Sequence, residues 1–243
     1  VYCPSYATNP ADDDIGNVTI SRNGVDVLNN GIATPVLSHP NSLNTYTDFT
    51  QSVAPVNLLK SGVYSFSISQ INSGSYYSTG RAIYIDYNDD GDFADANEKV
   101  FTTTATVTTS GVPSTGQFTV PCDAVSGYTR MRVVMIESTA SPAACGTYGY
   151  GETEDYTVRI FPTQRSYVSS NTRQDTSLIS AGSLDEKVIG LPVVTSGCGD
   201  SLIASSFTFG IGQTTVASDI LNAKLYYTNG NNKFSTPPRI DIF

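Results

Sequence analysis

Apolar residues in this chain recur at every second position, and no stretch of comparable length repeats them every three or four. In residues 63–70, Tyr64, Phe66 and Ile68 fall on one side and Ser65, Ser67 and Ser69 on the other. Residues 81–86 align Ile83 with Ile85, and residues 129–137 set Met131, Val133 and Met135 against Arg130 and Arg132. Residues 155–160 put Tyr156, Val158 and Ile160 together. A strand sends successive side chains to opposite faces, so this pattern predicts strands with one face on a core and one in water. The nearest helical pattern, residues 218–223, is long enough for a turn or two. Ser, Thr, Asn, Gly and Tyr are abundant and good helix formers scarce, which favours strands and turns. The expected fold class is all-β, an antiparallel β-sandwich of jelly-roll type.

The length of 243 residues suits one large or two ordinary domains. A seam follows Ile160, where Phe161-Pro162-Thr163-Gln164 leads into a polar run at 169–176 that reads as a linker or long loop. Residues 187–194, 202–209 and 223–228 are further strand candidates. The roughly 80 residues past the seam are few for a complete sandwich. The expected division is therefore a first β-sandwich over residues 1–161 and a second, incomplete β-sandwich region over 162–243, cut short within a longer protein.

Charge narrows the partners. Thirteen basic residues face 22 acidic ones, for a net charge of −9. Such a surface repels nucleic acid and anionic lipid and favours divalent cations, sugars or protein surfaces. No run of 18 apolar residues exists, so no membrane insertion is expected. No basic stretch followed by an apolar one opens the chain, and Val1 reads as a processed N-terminus. Cys3, Cys122, Cys145 and Cys198 are widely spaced, which argues against a zinc ribbon or redox motif and fits two disulfides in an oxidising, extracellular setting. The single His39 sits beside Pro40, a poor position for a Ser-His-Asp triad.

The sharpest motif runs from Asp86 through Tyr87-Asn88-Asp89-Asp90-Gly91-Asp92 to Phe93, followed by Glu98. Oxygen side chains at relative positions 1, 3, 5 and 7, with Gly at 6, match the opening of a calcium loop curled around a hard cation. Position 12 is Asn97, so the bidentate acid falls one residue late, at Glu98. The expected calcium ligands are Asp86, Asn88, Asp90, Asp92 and Glu98. The competing reading is an acidic turn in which Asp and Asn bond their own backbone, leaving five carboxylates to repel one another. Asp12-Asp13-Asp14 reads as a solvated turn.

These residues resemble a known family, the GEVED domain of secreted and surface proteins of Bacteroidetes-type bacteria. Tyr150-Gly151-Glu152-Thr153-Glu154-Asp155-Tyr156 carries the signature, with Thr153 where the family name has Val. Tyr2-Cys3, Tyr46-Thr47-Asp48-Phe49-Thr50, the loop from Ile85 to Glu98, Thr129-Arg130-Met131-Arg132-Val133 and Cys145-Gly146 follow the family's order over about residues 1–161. The chain departs in having Cys122 and no Trp. Residues 163–243 are faintly similar to β-sandwich modules that precede sialidase-like or adhesin regions, through Phe207-Thr208-Phe209, Asp219-Ile220 and 223–228.

The resemblance implies a non-catalytic sandwich with a Cys3–Cys145 disulfide; Cys122 and Cys198 then remain, and a bond between them would tie the second region to the first. It implies a binding or display module for an extracellular glycan or protein surface, with adhesion as its role. The alternative is an accessory part of a secreted protease or glycosidase exported by the type IX system, in contact with outer-membrane secretion machinery. Tyr76-Tyr77 and Tyr148 with Tyr150 offer aromatic faces for sugar rings. As an enzyme, the chain would have to use Glu152 and Glu154 as a paired acid and base, which share one strand face. As structure, the same two residues would bond backbone N–H groups or Arg130 and Arg132.

Overall fold

The computed structural model describes residues 1–11, 13–31, 44–72, 76–108, 112–184, 186–199, 201–210, 220, 222–228 and 239–240. Asp12, His39, Asp219 and residues 241–243 lie outside them. Within the first 161 residues come β1 (Ser5–Ala7), β2 (Asp13–Arg22), β3 (Val25–Gly31), β4 (Tyr46–Asp48), β5 (Val56–Leu59) and β6 (Val63–Asn72). They continue with β7 (Thr79–Ile85), β8 (Lys99–Thr102), β9 (Ser114–Thr119), β10 (Gly127–Glu137), β11 (Gly146–Tyr148) and β12 (Gly151–Phe161). Short strands follow: β13 (Ser166–Ser170), β14 (Arg173–Gln174), β15 (Ile189–Gly190), β16 (Val193–Ser196), β17 (Leu225–Tyr226) and β18 (Arg239–Ile240). Among the described residues there is no helix. The chain divides into one unit of Val1–Gln164 with Gly197–Gly199 and another of Arg165–Ser196 with Asp200–Phe243.

The first unit is a β-sandwich. One sheet runs β3-β2-β6-β9; the other runs β4-β12-β10-β7-β8, with β5 also paired to β12. Neighbours are antiparallel except β4 and β5, which lie parallel to β12, and β1, which pairs parallel to β11 outside both sheets. The alternations read from sequence supply the core. Tyr64, Phe66 and Ile68 of one sheet belong to the same buried cluster as Ile83, Ile85, Met131, Val133, Met135, Tyr156, Val158 and Ile160 of the other. Each such side chain contributes about 1.5–3 kcal/mol when fully buried. Across the sandwich, Arg81 of β7 is wholly buried and donates from Nη1 to the Ile68 carbonyl at 2.7 Å and from Nη2 to Gln70 Oε1 at 3.0 Å. Burial pushes its guanidinium down to about 10, with Asp13 opposing.

The other face of the larger sheet is not in water as expected. β7 is buried along its whole length. Ala82, Tyr84 and Val134 form a second cluster with Phe93 and Ala144, against which Tyr2, Ile136 and Tyr148 pack. The cover comes from three segments distant in sequence: the N-terminus, the acidic loop and the loop around Cys145. Cys3–Cys145 and Cys122–Cys198 are both bonded, across 142 and 76 residues.

Asp13 and Asp14 are a further correction, since they open β2 and are buried instead of lying in a solvated turn. Asp13 accepts Gln70 Nε2 at 2.6 Å, and Asp14 accepts the Asn44 N–H at 3.0 Å. The polar context of the run hid a strand that carries its acids inward.

In the second unit, β13 pairs with β16, β14 with β15 and β17 with β18, each as a two-stranded ribbon. No described residue beyond Ile160 is buried, so no second sandwich core appears among the described residues. Residues 202–209 form no strand, and the presumed loop at 169–176 instead holds the end of β13 and all of β14. Two-stranded ribbons pair backbone without a layer to cover their apolar side chains, which is why residues such as Val193 and Val194 stay exposed.

Candidate functional site

The acidic loop leaves the end of β7 and returns at β8. Asp86 is fully buried at its root: Oδ1 accepts the Asp89 N–H at 2.6 Å, and Oδ2 accepts the Gly91 N–H at 3.0 Å and the Tyr2 hydroxyl at 2.7 Å. Glu98 closes the loop from the other end, taking the Tyr87 N–H on Oε1 at 3.0 Å and the Asp95 N–H on Oε2 at 3.3 Å. Burial, opposed by these N–H groups, pushes the Glu98 carboxyl up. Gly91 has φ of +90°, a left-handed backbone that glycine takes at no steric cost.

Between these anchors the side chains alternate as the motif predicts. Asn88 Oδ1 accepts the Asp90 N–H, Asp90 Oδ1 the Asp92 N–H and Asp92 Oδ1 the Ala94 N–H, at 2.8–3.2 Å. The local bonds of the competing turn reading are thus present. They curl the loop so that Asp90, Asp92 and Asp95 each bring a carboxylate oxygen within 4.8 Å of the others, all three exposed. Asn88 Nδ2 bridges Asp90 and Asp95 at 3.0 and 2.8 Å, an amide dipole partly offsetting two like charges.

The five residues expected as ligands therefore divide. Asn88, Asp90 and Asp92 share the exposed rim, while Asp86 and Glu98 are buried and engaged by backbone N–H groups. Asp95, not expected as a ligand, completes the rim. Its only sequence signal was a further acid in the same loop, three residues past Asp92 and off the alternate spacing. The carboxylate oxygens of Asp90, Asp92 and Asp95 are the kind of ligand that suits a hard cation, whereas Asn88 presents its amide N–H groups to two of them.

The second constellation surrounds the start of β12. Alternation puts Glu152, Glu154 and Tyr156 on one face and Thr153 and Asp155 on the other. Arg132 lies directly across from Asp155 in the β10–β12 register, so the arginines bond Asp155 and not the two glutamates. Arg132 grips Asp155 through Nε and Nη2 at 2.7 and 2.8 Å, and Arg130 reaches it at 3.2 Å. Arg132 Nη1 also donates to the Cys3 and Ala144 carbonyls, both at 2.9 Å, and its guanidinium stacks on Phe93. One buried ion pair thus joins the signature strand, the disulfide and the acidic loop.

Glu152 and Glu154 face inward, 2% and 4% exposed. Glu152 accepts the Ile15 N–H at 3.0 Å and the Thr47 hydroxyl at 2.6 Å, and Glu154 accepts the Tyr156 hydroxyl at 2.7 Å. Burial holds the Glu152 carboxyl well above its usual range, aided by a hydrogen bond to Asp14 and by the charge of Glu154. Burial likewise pushes Glu154 up to about 8; the Tyr156 hydroxyl opposes the shift and the charge of Asp14 adds to it. The segment from Tyr46 is drawn to the same strand: Tyr46 bonds Asp155 at 3.1 Å and Phe49 stacks on Tyr156 at 5.3 Å. Of the tyrosines considered for sugar stacking, Tyr77 is exposed, whereas Tyr148 bonds Thr153 and packs into the outer cluster.

No curated protein matches the chain. Residues 80–159, from β7 through nearly all of β12, match the family described as the GEVED domain. The matched stretch contains the acidic loop, Arg132 and the Glu152–Asp155 signature, and over that stretch the chain is similar to the GEVED domain family.

Proposed function

We propose that this protein is a secreted or cell-surface binding module, stabilised by calcium in the acidic loop, that attaches to an extracellular glycan or protein surface and has no catalytic chemistry of its own. The observation that carries the reading is the loop: three carboxylates converge on an exposed rim whose two ends are pinned in a disulfide-tied sandwich. A cation held by Asp90, Asp92 and Asp95, with Asn88 turned to offer its oxygen, would relieve their repulsion and fix the rim as a recognition surface. Two disulfides support an oxidising compartment. The buried position of Glu152 and Glu154 supports a structural use of the only paired carboxylates considered for catalysis. The GEVED match is equally consistent with service to a larger secreted hydrolase; in both cases this chain binds and does not cleave.

Calcium that binds the native loop stabilises the fold by RT ln(1 + [L]/Kd), about 2.7 kcal/mol at 100-fold excess over Kd. The melting temperature should rise from chelator to millimolar calcium, and Asp90→Ala with Asp92→Ala should remove the rise. An unchanged melting temperature in the parent protein would refute the calcium role. Turnover of glycan or peptide substrates that follows the protein through purification and vanishes in a folded Glu154→Gln variant would refute the non-catalytic reading.

A further inference from the structure

The arginines of the sandwich fall into two sets. Arg81, Arg130 and Arg132 spend their donors on protein acceptors. Arg22 and Arg159 do not: among the described residues neither guanidinium donates a hydrogen bond or reaches an acid. Each is held against aromatic rings instead. Arg159 lies over Tyr128 at 5.2 Å and over Phe161 at 4.5 Å from the ring centres, and Arg22 over Tyr64 at 5.8 Å. Stacking fixes the plane of a guanidinium and leaves its fork of N–H donors free to take an anion. Asp26, in the same hairpin as Arg22, is bonded to Asn29 Nδ2 at 3.0 Å.

Both cations serve one surface. Tyr128 stands across from Arg159 in the β10–β12 register, and in the β12–β5 register Arg159 stands across from Asn57 and Phe161 across from Leu59. Paired positions share a face, here the outer face of the larger sheet. The cover of that face reaches Arg130, on which Tyr2 stacks at 4.4 Å. Beyond it Tyr128 is 57% exposed, and Asn57 and Arg159 are exposed. Asn57, Leu59 and Phe161 continue into an open groove of about 510 Å³, which Arg22 and Tyr64 line from the other sheet.

We propose that this groove binds a carboxylated glycan, with Arg22 and Arg159 taking the acid groups of successive sugars and Asn57 their hydroxyls. The proposal rests on the reading of the chain as an attachment module and names the ligand class. Charge complementarity carries it: in a chain of net charge −9, two guanidinium groups without a protein partner flank one groove. A guanidinium fork matches a carboxylate in two parallel bonds. The ring faces of Tyr128 and Phe161, with Leu59, give the C–H face of a sugar ring an apolar surface to lie on. The recognition groups are side chains on a sheet face instead of free backbone N–H and C=O groups, so they suit a sugar acid better than an extended peptide. The acidic loop is rooted nearby, since the Thr129 hydroxyl donates to the Asp86 carbonyl at 2.7 Å. A cation in that loop would reduce its repulsion of an acidic ligand.

The test is titration calorimetry with tetragalacturonate, its methyl ester and a tetraglutamate peptide, in millimolar calcium and again in chelator. The parent should bind the galacturonate about tenfold or more tighter than either of the others in both media. Arg22→Gln with Arg159→Gln should lose that preference while keeping the parent's melting temperature. Undiminished binding in the double variant overturns the proposal, as does tetraglutamate binding as tightly as the sugar acid. Equal binding of acid and ester overturns the acidic ligand and leaves glycan attachment standing. Binding of neither sugar overturns the proposal as well, and attachment then falls to protein surfaces. Should the double variant not fold, Asn57→Ala and Tyr128→Ala decide: each should weaken the galacturonate and spare the fold, and unchanged affinity in both sinks the site.

Discussion

Asp155 shows how much one side chain can organise. It is fully buried and takes a two-pronged bond from Arg132, whose remaining donors reach the Cys3 and Ala144 carbonyls. A buried pair adds little over an apolar isostere, yet breaking it leaves an uncompensated charge. Asp155→Asn should therefore cost about 3–5 kcal/mol in urea unfolding. The charge-reversed arrangement is not needed to check the point: Arg132→Met with Asp155→Leu should recover most of the loss. A cost under about 1 kcal/mol for Asp155→Asn would place the pair with exposed ones. Arg130, 27% exposed at its side chain, should matter far less when replaced by Ala.

Among the elements, β12 is where the register is most tightly set. It pairs with β10 on one side and with β4 and β5 in succession on the other. Its first residue, Gly151, has φ of +119°, and a Cβ there would run into the Met135 carbonyl oxygen. Gly151→Ala thus forces both a strained backbone and a shift of β10, and should cost at least ~1–3 kcal/mol. The decisive measurement is hydrogen exchange: protection of the β10–β12 amides should fall together. Unchanged protection would mean that the strand start tolerates a side chain. β2 shows the limit of reading by alternation. Its burial is nearly continuous from Asp13 to Val18, so it lacks the polar partner face that made β6 and β10 visible.

For the whole molecule, the two disulfides close loops of 142 and 76 residues. In the chain-entropy model, loops of this order are worth about 4–5 kcal/mol each. Peptide mapping without reduction should recover Cys3 with Cys145 and Cys122 with Cys198; Cys122 joined to Cys145 would contradict the structure. Reduction should lower the melting temperature by more in the first unit than loss of any single side chain. The second unit, with no buried residue among those described, should be cut first in limited proteolysis, within 165–196. Resistance there equal to that of the sandwich would show a core formed by residues beyond the described set.

Alternation at 63–70, 81–86, 129–137 and 155–160 determined the strands, and with them the sandwich, because successive side chains of a strand point to opposite faces and the apolar set of each was turned to one shared core. The Gly and Asx positions from Asp86 to Asp92 determined a curled acidic loop, since those residues bond their own backbone whatever surrounds them. Tertiary structure alone decided the rest. It paired Arg132 with Asp155 through the β10–β12 register, drew Asp95 into the carboxylate rim and buried Asp13 and Asp14 at the start of β2. It also laid the N-terminus over the outer face of β7. Each of these depends on segments separated by tens of residues or more, and a local pattern carries no information about which distant face will exclude the water.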